Sequence, residues 1–389
     1  MLDLLTKETD SPKPNSFSHL NRCLGNVQFG GEFYDGQENL VFDELLRWNP
    51  DVKTDNHDGD VGEATEKNTH EVNSSSSSSS KSNNYDTGKW TRILTPAPTP
   101  PPRCAHSAVY HNDGIYIFGG EIATAEKYHH YKDLWRLDVK TNIWEEFRSC
   151  GGSPPVARSG HRAVVWRHYM IIFGGFQEEM HAETRWFNDI HIFDFQTRMW
   201  CELKYNKLER LPPARSACNM TVCMVPTDAL FVYGGYSKVK NTNALGANKS
   251  EGITHVDCWM LPLKPLINSS KSLSCTSPPS WERITRKGEF PSQRAGLSSV
   301  LHKNRLLVFG GVLDSEGDHH KMESVFYDDL FALDMERRRW FAVRLKKAGG
   351  SRRRKKKDTV KAENNGDVSD HDGEVCDRSE SEDEGPRHY

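Results

Sequence analysis

The chain has 389 residues, a length that allows one large domain or two to three ordinary ones, and 36% of its residues are hydrophobic. Its formal net charge of −3 gives no reason to expect a nucleic-acid partner for the whole molecule. No charged and apolar leader opens the sequence, and no apolar run approaches the ~20 residues that a membrane helix needs. We therefore expect an intracellular protein that makes no membrane contact.

The nine cysteines are scattered along the chain and are odd in number. None lies in a C-x-x-C pair, so the sequence predicts neither a disulfide framework nor a zinc site. We interpret most of them as packed or surface thiols. No cofactor is expected.

A glycine pair that follows a short apolar run occurs five times along the chain. Such runs are typical of buried strands, and glycine is found where the backbone bends or is approached closely. No phosphate-binding glycine motif accompanies the pairs, so we expect them to be structural. The pairs are QFGGE (Gly30, Gly31), IFGGE (Gly119, Gly120), IFGGF (Gly174, Gly175), VYGGY (Gly234, Gly235) and VFGGV (Gly310, Gly311).

Each glycine pair is followed by an acidic residue, an alternating apolar stretch, a turn and a tryptophan, an order that predicts a hairpin of half-buried strands. The acidic residues are Glu44, Asp133, Asp189, Asp257 and Asp329, and the tryptophans are Trp90, Trp144, Trp200, Trp281 and Trp340. After each of the first four tryptophans, a proline-rich connection leads to an arginine, namely Arg103, Arg158, Arg215 and Arg294.

One unit is therefore predicted to be about 50 residues long and to hold four antiparallel strands, as in a propeller blade. Strand a starts from the arginine, strand b ends on the glycine pair, strand c starts from the acidic residue, and strand d surrounds the tryptophan. The glycine pairs and the spaced aromatic residues resemble the signature of the kelch-repeat family over residues 29–48 and 90–345.

The resemblance implies an all-β fold, a kelch-type β-propeller, with four complete blades and a partial one. The first unit is the partial one, because Arg22 lies only eight residues before Gly30 and leaves little room for strand a. The family is expected to carry a further repeat beyond the last unit, so both ends are expected to be shortened relative to it. The sequence leaves open whether the blades close a ring.

The segments outside the repeats differ in composition. Residues 1–28 are predicted to be an irregular N-terminal segment, residues 29–345 the propeller, and residues 50–88 a disordered polar insert within it. Residues 346–389 are predicted to be a disordered tail, first basic and then acidic. Its basic run is either a nuclear import signal or a solvated run of charge. We therefore expect the protein in the cytoplasm, with the nucleus as the alternative. The run consists of Arg352, Arg353, Arg354, Lys355, Lys356 and Lys357.

The long b–c and d–a connections must emerge on the same side of the propeller, because neighbouring strands alternate in direction. Long loops on a rigid scaffold are where binding residues tend to lie. The candidate partner-binding residues are Tyr128, His129, His130, His181, Trp186, Lys240, His319 and His320. The four arginines recur in every complete unit, so they are expected to be structural and to pair with a carboxylate of a neighbouring blade, with contact to a ligand as the alternative.

No catalytic constellation is recognisable, and the two histidine pairs lie in different blades, so neither an enzyme nor a metal site is expected. We expect a non-catalytic scaffold for protein–protein interaction that uses the loop face and binds an unidentified protein partner. The alternative is the substrate-recognition subunit of a cullin-type ubiquitin ligase, a role that the resemblance implies for some kelch proteins.

Overall fold

The computed structural model describes residues 27–49, 88–179, 183–206, 208–224, 226–241, 249–267, 273, 277–316 and 322–344. These residues form five blades and one 3-10 turn at Lys264–Leu266, and the predicted all-β propeller is confirmed. The strands pair antiparallel, except for two short edge strands that pair in parallel. Among them no helix is long and apolar enough to cross a membrane. The predicted polar insert, apart from Gly88, and the predicted tail lie outside the described residues.

Blade 1 has three strands, and each of blades 2 to 5 has four main strands with an extra hairpin between strands b and c. Blade 1 holds β1 (Val27–Tyr34), β2 (Asn39–Asn49) and β3 (Lys89–Ile93). Blade 2 holds β4 (Ser107–His111), β5 (Gly114–Phe118), the hairpin β6 (Glu121–Ala123) and β7 (Tyr128–His130), then β8 (Leu134–Asp138) and β9 (Ile143–Glu146).

Blades 3 to 5 repeat this order, and blades 3 and 5 begin with a short extra edge strand. Blade 3 holds β10 (Gly151–Gly152), β11 (Arg162–Trp166), β12 (Tyr169–Phe173), β13 (Phe176–Gln177), β14 (Arg185–Trp186), β15 (Ile190–Asp194) and β16 (Met199–Glu202). Blade 4 holds β17 (Asn219–Cys223), β18 (Ala229–Tyr233), β19 (Tyr236–Asn241), β20 (Lys249–Thr254), β21 (Cys258–Pro262) and β22 (Glu282–Ile284). Blade 5 holds β23 (Lys287–Gly288), β24 (Ser298–His302), β25 (Arg305–Phe309), β26 (Val312–Glu316), β27 (Met322–Phe326), β28 (Leu330–Asp334) and β29 (Arg339–Val343).

The hydrophobic core lies between the blades. Successive side chains of a strand point to opposite faces, so each strand sends one set of apolar residues to each neighbouring blade. In β12, Ile171 and Phe173 pack against blade 4, whereas Met170 and Ile172 pack against blade 2. Four such clusters join the five blades in chain order.

An aromatic pair marks each of these four interfaces. The tryptophan of strand d is buried and contacts the last aromatic residue of strand b in the preceding blade. The pairs, with the distances between ring centroids, are Phe29–Trp144 (5.1 Å), Phe118–Trp200 (5.5 Å), Phe173–Trp281 (5.8 Å) and Tyr233–Trp340 (5.1 Å). The recurrent tryptophans therefore join neighbouring blades.

The a strands of blades 2 to 5, namely β4, β11, β17 and β24, lie next to one another at the centre of the propeller. Just before these strands, backbone hydrogen bonds run from blade to blade. The N–H group of Gly160 donates to Ala105 O (2.9 Å), that of Ala217 to Gly160 O (2.8 Å) and that of Gly296 to Ala217 O (2.9 Å). Strand a is therefore the innermost strand of each complete blade.

Each glycine pair lies where the next blade comes close. Gly119 and Gly120 have φ angles of 64° and 92°, in the region that favours glycine. A β-carbon on Gly119 would stand 2.6 Å from the carbonyl oxygen of Arg158, closer than packed atoms allow. The N–H group of Gly120 donates to that same oxygen (2.9 Å), so the glycines admit the arginine segment of the following blade.

Three local features differ from the sequence-based expectation. Strand a begins several residues after the arginine, because the arginine segment first pairs with the base of the hairpin. The long b–c connections of blades 2 to 5 form antiparallel hairpins. In blade 1, β1 continues through Gly30 and Gly31, and a tight turn held by Asp35 leads directly into β2.

One cysteine departs from the expected pattern of thiols. Cys201 in β16 is disulfide-bonded. The other described cysteines, namely Cys104, Cys150, Cys218, Cys223 and Cys258, are free thiols.

Candidate functional site

The candidate functional site is the edge of the propeller formed by the hairpins β6–β7, β13–β14, β19–β20 and β26–β27, here called the hairpin rim. The hairpins of blades 2 to 4 touch in turn: Tyr128 donates to Glu178 Oε2 (3.3 Å), and the rings of Trp186 and Tyr236 lie 5.7 Å apart. Blade 1 joins them, because Asn39 Nδ2 donates to Ala123 O (2.9 Å). The rim is therefore one surface that crosses several blades.

The base of each hairpin is fixed by the arginine segment of the same blade. The residue after each arginine forms a β-bridge with the first residue after the glycine pair. These bridges are Cys104–Glu121, Ser159–Phe176, Ser216–Tyr236 and Ala295–Val312. Each hairpin thus starts from a fixed point on the blade.

The arginine side chains hold this base in place. Arg158 donates from Nη1 and Nη2 to the two carboxylate oxygens of Asp189 (2.6 and 2.8 Å), and from Nη1 to Gly174 O (3.0 Å). Its guanidinium carbon also lies 4.3 Å from the ring centroid of Phe187. The equivalent ion pairs are Arg103–Asp133, Arg215–Asp257 and Arg294–Asp329.

The expectation that these arginines pair with a neighbouring blade is wrong for their side chains. Each arginine stands beside the start of strand c in its own blade, so the nearest carboxylate belongs to that blade. The link to the preceding blade is made by the backbone. The N–H group of Arg158 donates to Tyr131 O (3.2 Å), and its carbonyl oxygen accepts from Gly120.

The charge state of the ion pair is fixed by these contacts. Burial alone would raise the pKa of Asp189, but hydrogen bonds from Arg158 and His191 outweigh it and hold this pKa well below its ordinary value. Arg158 is fully buried. Asp189 therefore stays ionised, and the guanidinium that it holds is out of reach of a ligand, so we interpret the pair as structural.

A polar network around His130 joins the hairpin of blade 2 to blade 3. The backbone N–H group of Glu178 donates to His130 Nε2 (3.0 Å), so the ring proton lies on Nδ1. Nδ1 then donates to Ser159 Oγ (2.7 Å). Burial lowers the pKa of His130 to about 4, which keeps the ring neutral at physiological pH.

Three carboxylates surround this network. Burial, together with the carboxylates of Glu32 and Glu178, raises the pKa of Glu121 to about 7, although a hydrogen bond with Ser159 opposes the rise. The thiol of Cys104 lies 3.4 Å from Glu32 Oε2, and burial and the nearby Glu32 raise its pKa far above that of a free cysteine. A thiol in this setting is a poor nucleophile.

The described residues offer no group of three or more His, Cys, Asp or Glu side chains arranged to hold a metal ion. The chemistry of the rim, as far as it is described, consists of hydrogen bonding, charge and apolar contact.

The structure brings three predicted partner-binding residues together on β7. The ring of His129 is exposed and stands edge-on to Tyr131 (5.0 Å). Tyr128 is partly exposed, with its hydroxyl 3.0 Å from His130 Nε2. His130 is only 5% exposed, because neighbouring residues of a strand point to opposite faces. It therefore supports the rim from inside, and the exposed candidates on this strand are its two neighbours.

The other predicted residues are spread over the remaining hairpins. Trp186 is partly buried between the rings of Phe176 (5.3 Å) and Tyr236. Lys240 lies in β19, where only its backbone is described. The residues and segments that lie outside the described residues are His181, His319, His320 and the basic run 352–357.

The hairpins of blades 4 and 5 present a different surface. Val239 and Ile253 in blade 4 and Val325 and Phe326 in blade 5 are large apolar residues that remain exposed. Exposed apolar groups beside a polar region are typical of protein interfaces. The rim thus has a polar part on blades 1 to 3 and an apolar part on blades 4 and 5.

Sequence reasoning missed Glu32, Glu121 and Glu178. A signal was present for the first two, since an acidic residue directly follows the glycine pair in QFGGE and IFGGE only. Glu178 carries no such mark, because it reaches His130 through the packing of two hairpins.

Comparison with known proteins identifies related chains. A family model described as the KLHDC2/KLHL20/DRC7 Kelch-repeats domain matches residues 67–311. The leucine-zipper-like transcriptional regulator 1 homolog of Drosophila melanogaster is 27% identical over 293 residues, which cover 66% of this chain and 28% of that protein. The human leucine-zipper-like transcriptional regulator 1 is 30% identical over 212 residues, covering 54% of this chain and 21% of that protein.

Two further matches agree in fold. Kelch domain-containing protein 1 of Mus musculus is 24% identical over 246 residues, covering 58% of this chain and 53% of that protein. A solved structure described as "Structure of YjhT" superposes with a TM-score of 0.52 at 15% identity, covering 85% of this chain and 84% of that one. The matched region therefore spans between 21% and 53% of the length of these curated relatives.

Proposed function

The chain belongs to the kelch-repeat family, and from that premise we propose that its propeller is a non-catalytic protein-interaction module that binds a partner protein on the hairpin rim. Kelch propellers typically serve as protein-interaction domains. The single observation that supports this choice of surface is the way the hairpins are held. Buried arginine–aspartate pairs fix their bases, and their outer side chains remain exposed.

A surface held in this way favours binding because little conformational entropy is lost when a partner docks. The apolar part of the rim supplies surface whose burial against a partner lowers the free energy of the complex. The polar part, with Tyr128 and His129, supplies hydrogen bonds and stacking that select the partner. We propose that a partner contacts both parts, with Phe326 and His129 at the centre of each.

Within the family, the segments HHYKDLWRLD, RSGHRAVVW and VYGGYSK closely resemble kelch domain-containing protein 4. We propose that the chain is related to that member. We also propose that the protein is localised in the cytoplasm, with import into the nucleus through Arg352–Lys357 as the alternative. Imaging of a fluorescent fusion before and after replacement of this run by glutamines tests it.

The experiment is affinity capture of the tagged chain from cells, with quantitative mass spectrometry of the bound proteins. The rim variant combines His129→Ala and Phe326→Ala. The matched control combines Ile143→Ala and Met199→Ala, which are exposed apolar residues beside the c–d turns of blades 2 and 3, on the side opposite the b–c connections. We expect a defined set of proteins that the parent and the control retain and that the rim variant loses.

Retention of the same proteins by the rim variant would show that they bind elsewhere and would overturn the proposal. Equal circular dichroism spectra and unfolding midpoints of both variants exclude a loss of fold as the cause. The substrate-recognition role in a cullin-type ubiquitin ligase stays a prediction. Recovery of a cullin with the parent chain in the same experiment would favour that role.

A further inference from the structure

A polar position recurs at the centre of the propeller, four residues after each repeat arginine. In blades 2 to 5 this position is the first residue of strand a, the innermost strand. In blades 2 and 3 its side chain reaches the following blade: Ser107 Oγ donates to His161 O (2.8 Å), and Arg162 Nε donates to Cys218 O (2.7 Å). The four residues are Ser107, Arg162, Asn219 and Ser298. The start of strand a therefore carries hydrogen-bond donors in each of these blades and a positive charge in blade 3.

Arg162 differs from the repeat arginines in having no carboxylate partner. Each repeat arginine pairs with an aspartate, whereas Arg162 forms no ion pair with any described residue. Burial lowers the pKa of its guanidinium, and the one described ionisable group that opposes this effect is the thiol of Cys218. Burial also raises the pKa of that thiol, so it stays neutral. An arginine remains protonated in proteins, so the described residues leave its charge without compensation.

The guanidinium of Arg162 keeps two nitrogens for a ligand. Nη1 and Nη2 donate to no acceptor within the described part of the chain, and the side chain is partly exposed. These nitrogens form the planar end of an arginine, which matches two oxygens of a phosphate or a carboxylate. Because the bond from Nε to Cys218 O already orients the group, little conformational freedom is lost when a ligand binds.

Asn219 is a second polar group that lacks a partner at the centre of the propeller. It is the equivalent residue in blade 4, whose strand a lies beside that of blade 3. Asn219 is 3% exposed, yet its side-chain amide makes no hydrogen bond to a described residue, and Oδ1 is buried without one. Buried amide groups in native proteins are normally hydrogen-bonded, so this group also indicates a polar ligand at the centre.

The position of Arg162 favours a small ion over a loop of a partner protein. The hairpin rim begins at the bridge Ser159–Phe176, and the backbone bonds between blades are made at Gly160. Arg162 lies two residues beyond Gly160, about 7 Å farther along the strand. A ligand must therefore pass the start of strand a to reach it.

We propose that the centre of the propeller binds one small free oxyanion, a phosphate or a carboxylate, with Nη1 and Nη2 of Arg162 as its anchor. The anion compensates a guanidinium that is partly removed from water without a counter-charge. Since Arg162 reaches from blade 3 to the backbone of blade 4, the bound ion also stabilises that interface. This inference goes beyond the proposed interaction on the hairpin rim and does not depend on it.

The test is equilibrium dialysis of the full chain against radiolabelled inorganic phosphate at constant ionic strength. The parent is expected to bind one phosphate per chain in a saturable manner. Arg162→Gln removes the charge and the two-nitrogen end, so the affinity should fall at least about tenfold. Arg162→Lys keeps the charge and loses the planar geometry, so its affinity should lie between the two.

The matched control is Arg136→Gln. Arg136 lies in β8, is partly buried like Arg162, and pairs with Asp138 (3.0 Å). Its loss should leave phosphate binding unchanged. A parent chain that binds phosphate no better than Arg162→Gln overturns the proposal, because the ion then binds elsewhere or not at all. If Arg162→Gln does not fold, as judged by circular dichroism, the lower affinity expected of Arg162→Lys decides.

Thermal unfolding separates a ligand from a purely structural arginine. A ligand that binds the folded chain raises the midpoint as its concentration rises. The difference in midpoint between the parent and Arg162→Gln should therefore be smallest without phosphate and grow as the site fills. A difference that stays constant would overturn the proposal.

Competition with sodium acetate identifies the class of anion. Displacement of labelled phosphate by an equal concentration of acetate would assign a carboxylate, and retention of phosphate would assign a phosphate. Either result supports an oxyanion site at Arg162.

Discussion

The middle of the propeller and its two ends are built from the same repeated residues in different surroundings. Asp189, in the middle, pairs with Arg158 and has a side chain 27% exposed; Asp329, in the last blade, makes the same pair with Arg294 and is 40% exposed. In the middle, each repeated residue meets the following blade. At the end, the same residue meets solvent on that side.

This difference shows that the contribution of a repeated residue to the free energy of unfolding depends on its neighbours as well as on its position in the repeat. A propeller blade shares each of its two faces with a neighbour, so the neighbour completes the environment of the residue. A substitution in the middle should therefore cost more than the same substitution in blade 5. Two pairs of variants test this, beginning with the largest expected effect. A third pair compares the different residues that blades 3 and 5 carry at one position of the repeat.

The first pair is Arg158→Met and Arg294→Met. Loss of Arg158 leaves the partly buried Asp189 without its partner and leaves a gap where the guanidinium was fully buried, and we expect the free energy of unfolding to fall by about 3 kcal/mol. Arg294→Met should cost about half as much, because water reaches Asp329 more easily. Urea denaturation followed by circular dichroism measures both.

The control for this pair is Arg198→Met. Arg198 forms an exposed ion pair with Glu145 (3.2 Å), so its loss should change stability by less than about 1 kcal/mol. Equal losses at Arg158 and Arg294 would contradict the view that the following blade sets the energy.

The second pair is Gly119→Ala and Gly310→Ala. Both glycines have left-handed φ angles, 64° and 67°, so alanine costs about 1–2 kcal/mol at either place. At Gly119 the added carbon also collides with the carbonyl oxygen of Arg158, and we expect a total of about 3 kcal/mol. Differential scanning calorimetry should show the larger fall in midpoint for Gly119→Ala, and the reverse order would count against the close approach of the next blade.

The third pair concerns the position three residues after each arginine, which is His161 in blade 3 and Leu297 in blade 5. Both ring nitrogens of His161 are buried without a hydrogen-bond partner among the described residues. Burial, with a smaller effect from Arg158, lowers its pKa well below 6.5. His161→Leu should therefore stabilise the fold by about 1 kcal/mol near pH 8, since a buried unpaired polar group is costly.

The gain should grow as the pH falls. Below pH 6.5 the unfolded chain binds a proton at this imidazole that the folded chain excludes, so the parent loses stability in acid and the leucine variant does not. Unfolding at pH 5 and pH 8 measures the change, with Leu297→Met as a control that should show no such pH dependence. A gain that is equal at both pH values would mean that His161 takes up a proton in the folded protein.

Much of the fold could be predicted from the repeat. The contacts between repeats could not be predicted in this way. Gly174, Asp189 and Trp200 each recur at one place in every unit, so strands b, c and d could be read from the sequence. The hairpins could not, because their start depends on a bridge such as Ser159–Phe176 between segments that show no alternation. Burial of His130 depends in the same way on the hairpin that starts from the bridge Cys104–Glu121, because His130 pairs with Glu121 in that hairpin.

The same limit applies to the candidate site. Glu32 and Cys104 lie in different repeats and approach to 3.4 Å only because two blades pack together. A repeat pattern considers each unit alone, so it predicts which residues recur. It does not predict a contact between two units that occurs at only one place in the molecule.

The shared core also bears on how the protein is made. In blade 3, Met170 and Ile172 pack against the blade that is synthesised before it. Ile171 and Phe173 pack against the blade that is synthesised after it. A growing chain therefore carries one uncovered apolar sheet face at the ribosome, and this face moves forward by one blade each time a new unit emerges. A pause between two blades during synthesis would prolong the exposure of this face, and transiently exposed apolar surface favours aggregation.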